Sequence, residues 1–143
     1  MNVDLQAGKS AYEIVEEDHF VSMRVLPGKT ITADLILSML ADLYSREAYR
    51  SETEGGLWVF ADCPVDMSYP DMQRIMEFIK THYDPNWSHR YTAMVVDKDT
   101  QYGFARMYDA MADQVPTEVE IFREEQPARD WLRSKAGGSA LSS

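Results

Sequence analysis

The last third of the chain carries the pattern that most constrains the fold. An apolar run at Tyr91–Val96 leads into an amphipathic segment around Gln101–Tyr108. A second alternating run, Glu118–Phe122, precedes a closing amphipathic segment that ends at Trp131–Leu132. This order predicts strand, helix, strand, helix. Two strands joined by a helix of this length pair in parallel, and a parallel sheet needs helices on its faces. The pattern therefore predicts an α/β fold rather than a helical bundle or a barrel.

The rest of the chain continues the alternation of short strands with helical stripes. The predicted strands are Tyr12–Glu16, Phe20–Leu26, Leu57–Ala61, Tyr91–Val96 and Glu118–Phe122. The first two flank a short acidic turn and form a hairpin, so the first strand is antiparallel. The third is a continuous apolar run, which is typical of a central strand covered on both faces. We predict an α/β single domain with a mixed, mostly parallel five-stranded sheet and flanking helices.

Capping residues give the helix boundaries. Thr30 or Thr32 can cap a first helix that runs to about Tyr49. Ser68, with an acid three residues later at Asp71, predicts the start of a second helix. The residues predicted to face inward in these and the third helix are Leu35, Ile36, Met39, Leu40, Leu43, Met72, Ile75, Met76, Ile79, Phe104, Met107, Tyr108 and Met111.

Length and charge limit the domain organisation and the classes of partner. The 143 residues fit one domain, which we place at residues 11–134, between a loose N-terminus at 1–10 and a disordered tail at 135–143. The formal net charge is −10, from 24 acidic and 14 basic residues. Because this charge repels phosphate backbones and no basic patch offsets it, nucleic acid is not expected as a partner.

Cysteine and hydropathy patterns bear on the compartment. Cys63 is the single cysteine, so the chain has no internal disulfide and no cysteine-based structural metal site. No run approaches the ~18 apolar residues of a transmembrane segment, and the N-terminus lacks the apolar core of a signal peptide. We therefore expect a cytoplasmic protein. We expect no bound cofactor, and no metal, because the histidines also lack metal-ligand spacing.

Several dispersed segments resemble the SpoIIAA-like family, relatives of the STAS domains of anti-sigma-factor antagonists. The matching segments are Val95-Val96, Gln101–Tyr108, Val119–Arg123, Ala128 and Trp131-Leu132, together with the opening hairpin and Gly28 before a helix. The resemblance covers residues 12–133. It implies a mixed sheet with an antiparallel first strand and flanking helices. It also implies a relation, by analogy of fold, to lipid-binding CRAL-TRIO domains.

The same resemblance bears on Ser68. STAS proteins carry a phosphorylatable serine in an Asp-Ser pair at the start of the helix after the third strand. The nearest match here is Asp66-Met67-Ser68, in which Met67 separates the pair. The resemblance therefore implies Ser68 as the phosphorylation position, whereas the residues alone favour a helix cap, since a serine at that position needs no further reason.

Five residues are the candidates for a binding site. They are Asp62, Cys63, Ser68, Asp97 and Tyr102. We expect them to cluster at the rim, meaning the loops at the carboxyl ends of the strands, because crossovers on opposite sides of a sheet leave a crevice there. Besides the helix-cap alternative for Ser68, the other four also have structural alternatives. Cys63 could be a packed thiol, and Tyr102 a packing position. Asp62 and Asp97 could bind a cation or act as an acid–base pair, or they could simply end their strands.

An aromatic segment before the fourth strand leaves two interpretations open. Trp87 and His89, with Tyr83 and Tyr91 nearby, form either a ligand or partner contact or the cover of the core.

No catalytic constellation is visible, so we predict a non-catalytic STAS-like protein-interaction or regulatory module. The alternative is a carrier or sensor of a small apolar, lipid-like ligand, held between sheet and helices by methionine and aromatic side chains. Whether the protein forms a homo-oligomer is left open by the sequence.

Overall fold

The computed structural model describes residues 11–60, 62–97, 99–111 and 117–141. The strands in this part are β1 (Tyr12–Glu16), β2 (Phe20–Val25), β3 (Gly55–Val59), β4 (Tyr91–Val95) and β5 (Glu118–Phe122). The helices are α1 (Ala33–Tyr44), α2 (Tyr69–His82), α3 (Asp99–Met111) and α4 (Glu125–Leu141), with a π-helical segment at Ala48–Glu52. The N-terminal segment predicted to be loose, residues 1–10, lies outside the described residues.

The strands form one sheet in the order β1-β2-β3-β4-β5. β1 pairs antiparallel with β2, and the other three neighbouring pairs are parallel. Every residue of β3, at the centre, is buried. The predicted fold class, the antiparallel first strand and the central position of the third strand are confirmed.

The two faces of the sheet are covered by different helices. On the front face, α1, α2 and α3 pack with Met23, Trp58 and Met94 into the larger core cluster. On the back face, α4 packs through Ala128 and Leu132. The crossover helices α1, α2 and α3 all lie on the front face. This follows from the strand order, which runs from β2 to β5 without reversing. The expectation of crossovers on opposite sides, with a crevice between them, is wrong.

Several predicted boundaries change. β1 and β5 have the predicted bounds, whereas β3 begins two residues earlier because Gly55 and Gly56 pair with both neighbouring strands. α1 ends at Tyr44 rather than near Tyr49, and the π-helical segment follows it. α4 spans Glu125–Leu141, past residue 134, where we placed the end of the domain. The domain bounds and the disordered tail stay predictions.

The helix caps and inward faces follow local chemistry. Of the two candidate caps for α1, Thr32 is the N-cap, and its hydroxyl accepts a hydrogen bond from Leu35 N at 3.2 Å. The predicted inward residues that are buried are Ile36, Met39, Leu40, Leu43, Met72, Ile75, Met76, Ile79 and Phe104. Leu35 and Tyr108 are half-buried, and the side chains of Met107 and Met111 lie outside the described ones. None of the helices, over the residues described, is long and apolar enough to cross a membrane.

A chain of ion pairs fastens the start of α4 to the sheet. Arg24 on β2 donates to both carboxylate oxygens of Glu125 at 2.8 Å. Arg129 donates to Glu125 at 2.8 Å and to Glu17 at 2.7 Å. Burial alone would raise the pKa of Glu125, but the hydrogen bonds from the two arginines outweigh it, so the pKa is lowered. The pairs fix the orientation of α4, while Leu132 supplies the apolar contact.

Two adjacent glycines allow close packing on both faces of β3. A Cβ at Gly55 would lie 2.9 Å from Leu132 Cδ2 of α4. A Cβ at Gly56 would lie 3.2 Å from His89 Cε1 on the front face. A side chain at Gly55 would require Leu132 to shift, and one at Gly56 would press on His89.

We predict opposite stability changes for two glycine-to-alanine substitutions. Gly56→Ala should destabilise by about 1–3 kcal/mol, because its methyl group would press on His89, which is itself held by Tyr49 and Thr92. Gly103→Ala, where nothing lies within 4 Å, should stabilise α3 by about 0.5–1 kcal/mol. Urea unfolding of both variants would measure this. Equal effects of the two substitutions would contradict the packing described for Gly56.

Candidate functional site

The rim brings together three of the five predicted residues. Cys63 and Asp97 follow β3 and β4, and Tyr102 lies in the first turn of α3. These three are linked through the side chains of Gln101 and Arg123. Asp62 is exposed beside Cys63, and Ser68 is exposed at the start of α2. For Ser68 the structure gives contacts with its own helix, so it shares the rim without joining the linked group.

Gln101 ties two rim loops together from inside. Its side chain is fully buried. Its Oε1 accepts from Asp97 N at 2.7 Å, and its Nε2 donates to Cys63 O at 2.5 Å. One amide therefore satisfies a backbone donor after β4 and a backbone acceptor after β3, so these loops hold a fixed relative position.

Arg123 extends the connection to the end of β5. Its guanidinium lies 4.5 Å from the centre of the Tyr102 ring, which is cation–π geometry. It also donates to Asp97 O at 3.4 Å and lies 3.9 Å from the Asp99 carboxylate. The loop after β3 is thus connected to the loop after β4, and the loop after β4 to the end of β5.

Gln101 and Arg123 were not among the predicted site residues. A signal for Gln101 existed, because it shares the helical stripe of Phe104 and Ala105, where a polar side chain predicts a buried hydrogen-bonding role. For Arg123 we find no such signal in the sequence, since an arginine after a strand is ordinary.

Cys63 is part of the packing beneath the rim. Its side chain is 0% exposed, and the thiol donates to Leu26 O at 3.2 Å. Burial raises the pKa of this thiol, more than the nearby backbone amides of Lys29 and Gly28 lower it. A raised pKa keeps the group protonated at neutral pH, and a protonated thiol is a poor nucleophile. The structural interpretation of Cys63 fits these observations.

The rim carries several carboxylates. Asp62, Asp66, Asp97 and Asp99 are exposed. Among the residues that the structure describes, no group of three or more histidine, cysteine, aspartate or glutamate side chains is placed to hold a metal ion. The four aspartates give the rim a negative surface.

Ser68 caps α2 with a complete capping box. Its hydroxyl accepts from Asp71 N at 3.3 Å, and Asp71 Oδ2 accepts from Ser68 N at 3.0 Å. Tyr69 follows, and its side chain is 59% exposed, the largest value among the described large apolar residues. The capping role is present in the structure, and it fixes the backbone from which Tyr69 projects.

The aromatic segment at residues 83–90, which we call the aromatic lid, covers the core at the opposite end of the strands. Trp87 packs on Tyr44 with ring centres 5.0 Å apart, and His89 stacks on Tyr49 at 4.5 Å. Tyr83 donates to His89 O at 2.9 Å. The sequence left two interpretations of this segment, a ligand or partner contact and a cover of the core. The ring contacts of Trp87 and His89 fit the cover of the core.

An apolar cavity lies between the front face of the sheet and two helices. It is lined by Ile36, Leu40, Trp58, Met94, Phe104 and Tyr108 and encloses about 10 Å³. This is room for roughly one water molecule. Ligand pockets in proteins have volumes of about 300–1,000 Å³. In its present form the cavity is too small for a lipid-like molecule.

We predict that Ser68→Ala lowers the free energy of unfolding by about 1 kcal/mol, because Asp71 N loses its acceptor. Ser38→Ala is the matched control, since Ser38 is exposed in the middle of α1 and its replacement should not destabilise. Thermal unfolding of both variants is the measurement. An unchanged stability of Ser68→Ala, with Ser68→Asp altering partner binding, would favour the phosphorylation interpretation over the cap.

We predict that Gln101→Ala costs about 2–4 kcal/mol, because Asp97 N and Cys63 O each lose a buried partner. Labelling of the Cys63 thiol should also become faster, since its loop is no longer held. Gln126→Ala is the control: it removes an exposed amide that pairs with Asp130 within α4, for a loss of about 0.2–0.5 kcal/mol. Equal losses in the two variants, or unchanged labelling, would show that Gln101 does not hold the rim.

The comparisons with known proteins concern the fold. No family model matches the sequence, and no curated protein sequence matches it. The structure is similar to the crystal structure of an uncharacterised DUF3478-family protein from Shewanella loihica PV-4 that is described as having a SpoIIAA-like fold. The match covers 85% of this chain and 92% of that chain, with a TM-score of 0.55 and 16% sequence identity. The resemblance to SpoIIAA-like proteins is therefore confirmed as a likeness of fold.

Proposed function

We propose that this protein is a non-catalytic interaction module that binds a protein partner through the rim. The observation that carries the proposal is the exposure of Tyr69, at 59%, on a rim whose loops are held together. Tyrosines at the centre of an interface often contribute a large share of binding energy. A rigid surface also loses little conformational entropy when it binds.

Charge indicates the chemistry of the partner. Four exposed aspartates, Asp62, Asp66, Asp97 and Asp99, accompany Tyr69 on the rim. The net charge of −10 has the same sign. Complementary potentials speed association and discriminate against wrong partners, so the partner should present a basic surface.

Two observations support a binding role over catalysis or ligand transport. The Cys63 thiol is buried and has a raised pKa, which does not suit a nucleophile. The apolar cavity of about 10 Å³ does not suit a carrier of lipid-like molecules. The cytoplasmic location stays a prediction from the sequence.

The test compares the two exposed large apolar side chains. Immobilised wild-type protein, Tyr69→Ala and Val15→Ser would be used to capture partners from the host lysate, and a captured protein would then be purified. Val15 is 47% exposed on β1, away from the rim, so Val15→Ser is the matched control. We expect Tyr69→Ala to weaken binding of the purified partner by about tenfold or more and Val15→Ser to leave it unchanged.

Salt and turnover complete the test. The affinity should fall as ionic strength rises, because the rim is acidic and the partner is basic. A partner that binds Tyr69→Ala and wild type equally would contradict the rim as the binding surface. A substrate converted by wild type, with conversion lost in Asp62→Asn at unchanged stability, would contradict the non-catalytic assignment. An apolar molecule retained in native mass spectrometry would favour the carrier.

A further inference from the structure

His89 occupies the most enclosed position of the aromatic lid. Its side chain is 3% exposed. One ring face stacks on Tyr49 of the π-helical segment at 4.5 Å, and Cε1 lies over Gly56 of β3. The Tyr83 ring meets it edge-on at 6.2 Å. The imidazole is thus surrounded by aromatic rings and backbone.

The two ring nitrogens have different environments. Nε2 lies 2.9 Å from Thr92 Oγ1 and 3.4 Å from Thr117 Oγ1. Nδ1 is buried and has no hydrogen-bond partner among the described residues. A neutral imidazole tolerates this arrangement, because an unpartnered nitrogen acceptor costs less than an unpartnered charged donor. An imidazolium would place an N–H bond at Nδ1, where no described residue accepts it.

Among the described residues, the groups that contact the ring carry no negative charge. Tyr49 from the π-helical segment and Tyr83 from the lid are neutral hydroxyls whose pKa values burial raises further. β4 and the residue before β5 contribute the uncharged Thr92 and Thr117.

β3 contributes only backbone at Gly56. The charged residues next in sequence to the packed rings are the cations Arg50 and Arg90 and the carboxylate Asp84, which is exposed and accepts a hydrogen bond from Asn86 N. Burial accordingly lowers the pKa of His89 to about 3.

Among the described residues, three hydrogen bonds attach the lid to residues 50–54. Ser88 N donates to Arg50 O at 2.8 Å, and Arg90 N donates to Glu54 O at 2.7 Å. Ser88 Oγ donates to Thr53 O. These bonds lie outside the β2–β3 ladder, so that ladder can stay paired when they break.

We propose that His89 is an acid-sensitive latch, whose protonation releases the aromatic lid from the π-helical segment and exposes the ring cluster of Tyr44, Tyr49 and Trp87. The closed lid holds the neutral imidazole, and the open lid accepts either form. Acid therefore favours the open lid, because the proton binds the exposed ring at its ordinary pKa of about 6.5 and the enclosed ring far more weakly. For one proton, the opening constant should rise about tenfold from pH 7.5 to 5.5.

Hydrogen exchange measures the opening directly. In the full chain, the amides of Ser88 and Arg90 report on the lid, and amides within β3 and α4 report on the rest of the fold. After correction for the intrinsic pH dependence of exchange, we expect about a tenfold rise in opening for the lid amides alone between pH 7.5 and 5.5. The rise should vanish in His89→Gln, whose side chain does not titrate. It should persist in His82→Gln, which removes an exposed histidine.

Three results would overturn the latch. These are an opening constant independent of pH in wild type, the same rise in His89→Gln, and an equal rise in β3 and α4, which would mean global unfolding. An NMR titration of wild type covers the case in which His89→Gln does not fold. The His89 ring should keep its neutral-form chemical shift while the lid is closed. A ring that titrates near pH 6.5 with the lid closed would contradict the proposal.

Discussion

The close packing on both faces of β3 is the constraint on which the rest of the structure depends. β3 is central and buried, so each face needs a cover that approaches the backbone closely. Gly55 admits Leu132 on the back, and Gly56 admits His89 on the front. Consecutive residues of a strand face opposite sides of the sheet. These two glycines therefore let α4 and the aromatic lid pack against the same strand from its two faces.

The two ends of the sheet differ in how they are held. At the rim, Gln101 connects the loops after β3 and β4 through buried hydrogen bonds, and Arg123 adds the end of β5. At the other end, the aromatic lid is held by ring stacking and backbone bonds around His89. Buried polar groups whose hydrogen bonds are satisfied restrict motion. A buried ring nitrogen without a partner, such as Nδ1 of His89, makes the packing around it sensitive to protonation of the ring. This contrast is the reason for proposing partner binding at the rim and conformational sensitivity at the lid.

Local signals explain which parts of the fold were predictable. The Ser68 capping box and the α2 stripe depend on neighbours a few residues apart, and both are present as predicted. β1 and β5 alternate within themselves and have the predicted bounds. The start of β3 was misplaced because two glycines are typical of a loop, and only their pairing with β2 and β4 makes them strand residues. The placement of all crossover helices on one face depends on strand order, which no local pattern encodes.

The sequence by itself determined the α/β class, the parallel pairing of the last strands and the neighbourhood of Cys63, Asp97 and Tyr102, because residues that follow parallel strands meet at one edge. Tertiary structure decided what joins them. Gln101 and Arg123 act across loops that are distant in sequence, and the partners of a side chain are set by which backbone groups the fold leaves beside it. The fold also decides that Cys63 is packed beneath the rim whereas Tyr69 is exposed on it, because burial depends on which elements pack over a residue.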